Sequence, residues 1–362
     1  HENCGYGGLD QPFRKSDAPA WTVSSVMIKP WLWLPPKLAH DLSPLAVELY
    51  SLFQKNKTPL TPLWQPFSWK NIHFKNRLGL AGGVDKNAEH LAAWQNVGCG
   101  FIEVGTITPL PQSPNPGKII DRSTKEEALW NKMGFPSAGA DEVFYNISAQ
   151  DPKPSVPLFI NIGKNRNTTN ETAHHDYNIL IEKFYDCADA FVVNISSPNT
   201  KGLRDLANKE SLEAFIKPIM QQKATLDKIR ASEKPILIKL SPDLQSDELK
   251  RIMDISIQNH IDGFVLTNTT LSRNTLKKFS TEGGVSGKPA AELSILSLKT
   301  AIEHLGSEKS KKMLISVGGV MTAEDVFERI ALGADLVEVY TALVFSGLNF
   351  FRKVEKAAHE SK

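Results

Sequence analysis

The sequence predicts an α/β protein, a (β/α)8 TIM barrel with a small N-terminal helical extension. Three observations carry this. Short apolar, β-branched runs recur eight times between about residue 75 and residue 341, and each ends in or beside Gly, Asn, Ser or Thr before an amphipathic stretch. The runs are continuously apolar rather than alternating, which implies burial on both faces and hence a parallel sheet. A doubly wound sheet would carry a G-x-G-x-x-G turn after its first strand, and none follows here.

In chain order, residues 1–20 have no periodicity and read as a flexible tail. Residues 21–56 form an amphipathic helical module. The stretch "WTVSSVMIKPWLWL" (21–34) is loaded with Trp and aliphatics, and Leu38, Leu42, Leu45, Leu49 and Leu52 recur at helical spacing. Pro44 either opens a helix capped by Ser43 or kinks one. Such a module is either a lid packed on the barrel or an interfacial anchor, because Trp favours the headgroup zone. Residues 57–362 form the barrel domain. Its strands are expected at 78–81, 101–104, 158–162, 191–195, 236–240, 263–266, 313–317 and 336–340.

Composition excludes several function classes. The net charge of +2, with 41% hydrophobic and 23% charged residues, is that of a globular domain without a nucleic-acid footprint. Lys309, Lys311 and Lys312 read as a solvated loop. Cys4, Cys99 and Cys187 are far apart and odd in number, so neither a disulfide framework nor a zinc site is expected, and a reducing compartment is. No apolar run reaches the ~18 residues of a membrane span, and no signal peptide or transit segment is visible.

Chemistry in this fold sits at the C-terminal ends of the strands. The first run ends in "AGGVDKN": Ala81, Gly82 and Gly83 leave bare backbone for a flat or phosphorylated ligand, and Lys86 follows. The later ends offer Thr106, Asn161, Asn194, Lys239, Thr267 to Thr270, Gly318 and Gly319, and Tyr340 and Thr341. Lys239 inside a buried strand needs an anion or an electron-rich ligand. Its own run carries no acid, so a ligand is preferred over an ion pair. Glycines after strand seven and a threonine after strand eight suit the phosphate site of this fold. "GGVSGKP" (283–289) adds bare backbone but lacks Walker A spacing. No metal site is expected: Asp85 and Glu103 have no companion ligands, and His174 and His175 lie in a polar segment. Amides, hydroxyls and lysines around a phosphate site suit FMN, whose reduced anionic ring a lysine would stabilise. A phosphosugar aldolase or isomerase is the rival reading.

In order, "LGLAGGVDKN", "VGTITPLPQ", "NKMGF", "NIGKN", "NISSPNTKGLRDL", "IKLSPDL", "TNTT", "GGVSGKP" and "SVGGV" with "VYTAL" resemble the dihydroorotate dehydrogenase family, in its class 2, membrane-associated and quinone-linked. The resemblance runs from about residue 31 to the C-terminal region. It implies oxidation of (S)-dihydroorotate to orotate in pyrimidine synthesis, with hydride passing from C6 to flavin N5 and the C5 proton to Ser197, relayed through Thr200. It implies substrate contacts from Lys86, Asn131, Phe135, Asn194, Asn199, Asn268 and Thr269. FMN would be held by Ala81, Gly82, Thr106, Asn161, Asn194, Lys239, Thr267, Ser286, Gly287, Gly319, Tyr340 and Thr341. Ubiquinone or menaquinone would reach the flavin through the N-terminal helices, past His40, Arg122 and Tyr340. Ser196 is left as scaffolding. Pro136 stands where the family commonly has an asparagine, and removes a side-chain amide and a backbone N–H.

The implied setting is a monomer on the inner membrane, on the cytoplasmic side in a bacterium or in the mitochondrion of a eukaryote. Soluble class 1 members, using fumarate or NAD, carry a cysteine where this chain has a serine. The other rival is a silent flavin-binding scaffold.

Overall fold

The computed structural model describes residues 29–54, 63–151, 153–273 and 276–360. The proposed tail (1–20) and the start of the Trp-rich stretch lie outside the described residues. All eight expected strands form: Leu78–Leu80, Ile102–Ile107, Leu158–Ile162, Ala190–Asn194, Ile236–Leu240, Gly263–Leu266, Met313–Val317 and Leu336–Val339. Each pairs in parallel with its sequence neighbours, and strand eight pairs with strand one, closing the barrel. Val337 sits opposite Leu78, and Asn194 opposite Lys239.

The strands are apolar throughout because both their faces are covered. Outward residues such as Ile102, Ile160, Phe191, Ile238 and Val337 join one core with the surrounding helices. Inward residues form a second core of Phe101, Phe159, Val192, Leu237, Val265, Ile315 and Leu336. An antiparallel hairpin, Phe67–Trp69 with Ile72–Phe74, extends that inner core. Its Phe74 meets Phe101 edge-on at 5.8 Å and Phe159 at 6.1 Å.

Neither this hairpin nor a further small sheet follows from the sequence pattern. Ile120–Ser123, Ala128–Asn131 and Gly284–Gly287 make a three-stranded antiparallel sheet with Ala128–Asn131 in the middle. Four-residue strands from two distant loops are too short to show periodicity. The sheet sets Asn131 opposite Gly284 and Leu129 opposite Ser286, bringing both loops to the cavity at the barrel mouth.

The N-terminal module is a 3-10 turn, Pro30–Leu32, followed by one helix, Pro36–Gln54. Pro44 lies inside this helix and neither opens it nor is preceded by a cap. Proline has no N–H for the carbonyl of His40 four residues back. The Ser43 hydroxyl donates to that carbonyl instead, at 2.7 Å. Val47, Ser51 and Gln54 face the barrel. The leucine stripe faces the opposite way: Leu45 is 59% exposed, Leu52 63% and Phe53 74%. Val47 joins the main core, with Leu32 and Tyr50 packed against it, and polar contacts add to the anchoring. Glu48 meets His90 at 2.7 Å, Asn96 donates to Ser51 at 3.2 Å, and Trp31 donates to the Val344 carbonyl at 2.7 Å.

Candidate active site

Strand periodicity builds the site. Side chains two apart share a face, so the inward residues one step above the inner apolar core are Glu103, Asn161, Asn194, Lys239, Thr267, Val317 and Glu338. All seven are buried. They are cross-linked. Lys239 Nζ donates to Glu103 Oε1 at 2.7 Å and lies 3.6 Å from Glu338 Oε2. Asn161 Nδ2 donates to the same Glu103 oxygen at 2.7 Å. Thr106 Oγ1 donates to Asn161 Oδ1 at 2.6 Å and accepts from Asn194 Nδ2 at 3.0 Å.

Lys239 therefore stands in a buried ion pair, contrary to the expectation that a ligand alone meets it. The acids come across the barrel from strands two and eight, not from its own strand. Burial pulls the ammonium down, and the carboxylates of Glu103 and Glu338 push it back above the ordinary lysine value. Burial, then the charge of Glu103, drives the Glu338 carboxyl well above the carboxylate range. Among the described residues neither Glu338 oxygen has a hydrogen-bond partner, and Glu338 lines the cavity above. Sequence reading missed Glu338, although its place two residues after the inward Leu336 marks it.

That cavity, a cleft partly open to solvent, is lined by the ends of the barrel strands. It gathers every residue assigned above to substrate or flavin: Lys86, Asn131, Phe135, Asn194, Asn199, Asn268 and Thr269, with Ala81, Gly82, Thr106, Asn161, Lys239, Thr267, Ser286, Gly287, Gly319, Tyr340 and Thr341. Ser197 is also on its wall, and among the described residues no cysteine is. Ser197 Oγ accepts the Asn199 N–H at 3.2 Å. Thr200 is buried in the same loop but off the wall, and its Oγ1 has no partner.

Ser196 organises this loop. Its hydroxyl donates to Asn194 Oδ1 at 2.9 Å and accepts from Asn268 Nδ2 at 2.9 Å. Arg204, paired with Asp243 at 2.9 Å, holds the Ser196 carbonyl at 3.0 Å. Asn199 Nδ2 donates to Asn131 Oδ1 at 2.9 Å, tying the loop to the extra sheet.

Parts of the wall are bare backbone. A Cβ on Gly82 would stand 2.1 Å from Glu103 Oε1, and one on Gly319 2.3 Å from the Ala291 Cα. The Ser286 and Thr341 hydroxyls meet at 2.8 Å beside this cradle. Glycine edges, paired hydroxyls, a lysine and unpartnered carboxyl oxygens fit a flat, hydrogen-bonding ring with a phosphate tail, so the residues present fit FMN.

Lys86 Nζ donates to the Gly83 carbonyl at 2.8 Å, and burial lowers its pKa to about 8. It also lines a second cavity, with Ile120, Met133 and Pro136 likewise shared between the two. His40, Lys37 and Asp41 of the N-terminal helix close this second space. Burial, then the Lys86 charge, lowers the His40 pKa. Burial raises Tyr340 to about 12 on the wall of the first cavity. Arg122 lines neither cavity: its guanidinium donates to the Leu32 carbonyl at 2.6 Å and to that of Leu34, fastening the N-terminal segment.

A family model described as dihydroorotate dehydrogenase matches residues 67–361. A protein of Idiomarina loihiensis named dihydroorotate dehydrogenase (quinone) is 38% identical over 91% of this chain and 98% of its own length. One of Teredinibacter turnerae with the same name is 36% identical over 87% and 92%. Among solved structures, DHODH from Eimeria tenella in complex with ferulenol superposes with a TM-score of 0.79 at 32% identity, covering 89% of this chain and 90% of that one.

Proposed function

The chain belongs to the dihydroorotate dehydrogenase family, and from that premise we propose that it oxidises (S)-dihydroorotate to orotate, with FMN as cofactor and a membrane quinone as acceptor, in pyrimidine synthesis. One observation carries the reading. A single cavity is lined by Ser197, Lys86 and the amides of Asn131, Asn194, Asn199 and Asn268 together with the bare glycines Gly82, Gly318 and Gly319.

Bound FMN would supply the acceptor for the hydride from C6 and pass two electrons to the quinone. The chain's own residues do the rest. The four amides bind the donors and acceptors of the pyrimidine ring, and Lys86 balances the substrate carboxylate. Ser197 Oγ takes the C5 proton as the hydride leaves. A serine hydroxyl is a weak base, so its proton must move on at once; the unpartnered Thr200 Oγ1 is the next acceptor, through water. Phe135 covers the site, excluding solvent.

The second cavity, behind Lys86, is the quinone's approach, with His40 on its wall. The exposed leucine stripe of helix Pro36–Gln54 would lie on the membrane surface. Among the described residues no helix is long and apolar enough to cross a bilayer.

The test is dihydroorotate-dependent dye reduction with a short-chain quinone, set beside fumarate and NAD. Quinone-dependent turnover by a yellow protein is expected. A colourless protein, or no turnover after added FMN, overturns the reading; faster turnover with fumarate would make it a class 1 enzyme.

A further inference from the structure

Arg329, on helix Ala323–Ala331, is 1% exposed. Its Nη1 donates to Ser294 Oγ at 2.7 Å and Ser316 Oγ at 2.8 Å. Its Nη2 donates to the Gly318 carbonyl at 2.9 Å and the Ala291 carbonyl at 3.4 Å. Among the described residues every one of these partners is neutral, and Nε has none. The nearby acids do not pair with it. Asp325 accepts the N–H groups of Met321 and Thr322 at its own helix start, and with Glu328 acts on Arg329 only from a distance. A buried guanidinium with no ion-pair partner among the described residues is costly.

The peptide that Arg329 grips lies on the wall of the first cavity. In a trans peptide the C=O and the next N–H point opposite ways. With the Gly318 carbonyl turned to Arg329, the Gly319 N–H points away from it. Gly318 and Gly319 both line the first cavity, at φ of 110° and 74°. Arg329 thus polarises a cavity-wall peptide whose N–H points away from the guanidinium. Ala291 and Ser294, its other partners, belong to helix Ala291–Leu305, whose start abuts Gly319.

We infer that Arg329 is the buried counter-charge of the ligand's phosphate, acting through the Gly318–Gly319 peptide, and that it makes the site select a phosphorylated flavin over its unphosphorylated form. It is a positioning residue, and the inference rests on the flavin reading above. The full-length protein, freed of flavin, is titrated with FMN and with riboflavin by fluorescence quenching. Arg329→Gln should weaken FMN by about tenfold or more while changing riboflavin less than about threefold, and Arg329→Lys, which keeps the charge, should recover most of the preference. Equal weakening of both ligands would mean a merely structural role and overturn the inference.

A second readout needs no variant. Inorganic phosphate should raise the Tm of the flavin-free wild type above that in chloride of equal ionic strength, and no difference would count against the inference. A wild type that binds neither flavin yet is stabilised by phosphate would remove the flavin reading and leave the role of Arg329 standing.

Discussion

Lys239, on the fifth strand, reaches across the barrel to Glu103 on the second, Nζ to Oε1 at 2.7 Å, and leaves Glu338 at 3.6 Å as the surplus carboxyl. Two acids and one base in a dry interior cannot all be charged without a net negative charge. Glu338, with neither oxygen hydrogen-bonded, is the acid that stays neutral.

The neutral state makes Glu338→Gln a conservative change. The sign follows from linkage. The folded value of Glu338 is raised, so the unfolded chain releases its proton first, and the wild type loses stability as pH rises above about 4.5. Glutamine does not titrate. The stability of Glu338→Gln relative to wild type should therefore grow by about 1.4 kcal/mol per pH unit from that point until the folded carboxyl ionises. Denaturant midpoints of both proteins across pH 5 to 8 measure it, and a gap that stays constant would show Glu338 ionised throughout.

The two adjacent serines should separate cleanly. Ser197→Ala should slow flavin reduction by dihydroorotate by about 10²–10⁴-fold with flavin retained, as read by stopped-flow bleaching. Ser196→Ala removes the hydroxyl between Asn194 and Asn268 without touching the proton path. It should loosen substrate by roughly 1 kcal/mol, raising KM about fivefold with kcat little changed. The reverse pattern would move the base assignment to Ser196.

The same periodicity that made the barrel legible also hid its chemistry. Eight apolar runs sufficed to place the strands, because burial on both faces leaves few polar residues to confuse the pattern. The polar layer was legible where a strand ended in it, as at Asn194 and Thr267. It was not legible at Glu338, which stands before the strand end and looks like a break in an apolar run. Lys239 was found, but its partners lie 136 residues before it and 99 after it along the chain, a pairing that only the closed barrel creates. Helical spacing placed the leucine stripe correctly but could not say which way it faced. That was set by Ser51 and Glu48 meeting the barrel on the other side.

Lys86 should give the enzyme an alkaline limb. Buried, its ammonium loses its proton near pH 8. Below that value it can balance a substrate carboxylate, and above it cannot. The quotient kcat/KM for dihydroorotate, which reports the free enzyme, should fall through about pH 8 by up to tenfold per unit. Lys86→Met should lower it and flatten this limb. Because the folded value lies below the unfolded one, the wild type should gain stability between about pH 8 and pH 10.5, where only the unfolded chain still binds the proton. Lys86→Met should lack that gain in denaturant titrations.

The leucine stripe yields a prediction that separates attachment from chemistry. Leu38, Leu42, Leu45, Leu49 and Leu52 are all exposed on one side of helix Pro36–Gln54, with Phe53 beside them. The barrel gains nothing from them, since Val47, Ser51 and Gln54 make the inward face. Moving an exposed leucine into an acyl boundary is worth on the order of 1 kcal/mol. Replacing Leu45 and Leu49 together by Asp adds a charge cost at each position. The double variant should bind phospholipid vesicles at least about tenfold more weakly in sedimentation. Its Tm and its turnover with a water-soluble dye should match the wild type, because neither side chain touches the barrel core. Turnover with a long-chain quinone held in vesicles should fall along with binding. Unchanged sedimentation would mean that this face meets something other than a membrane.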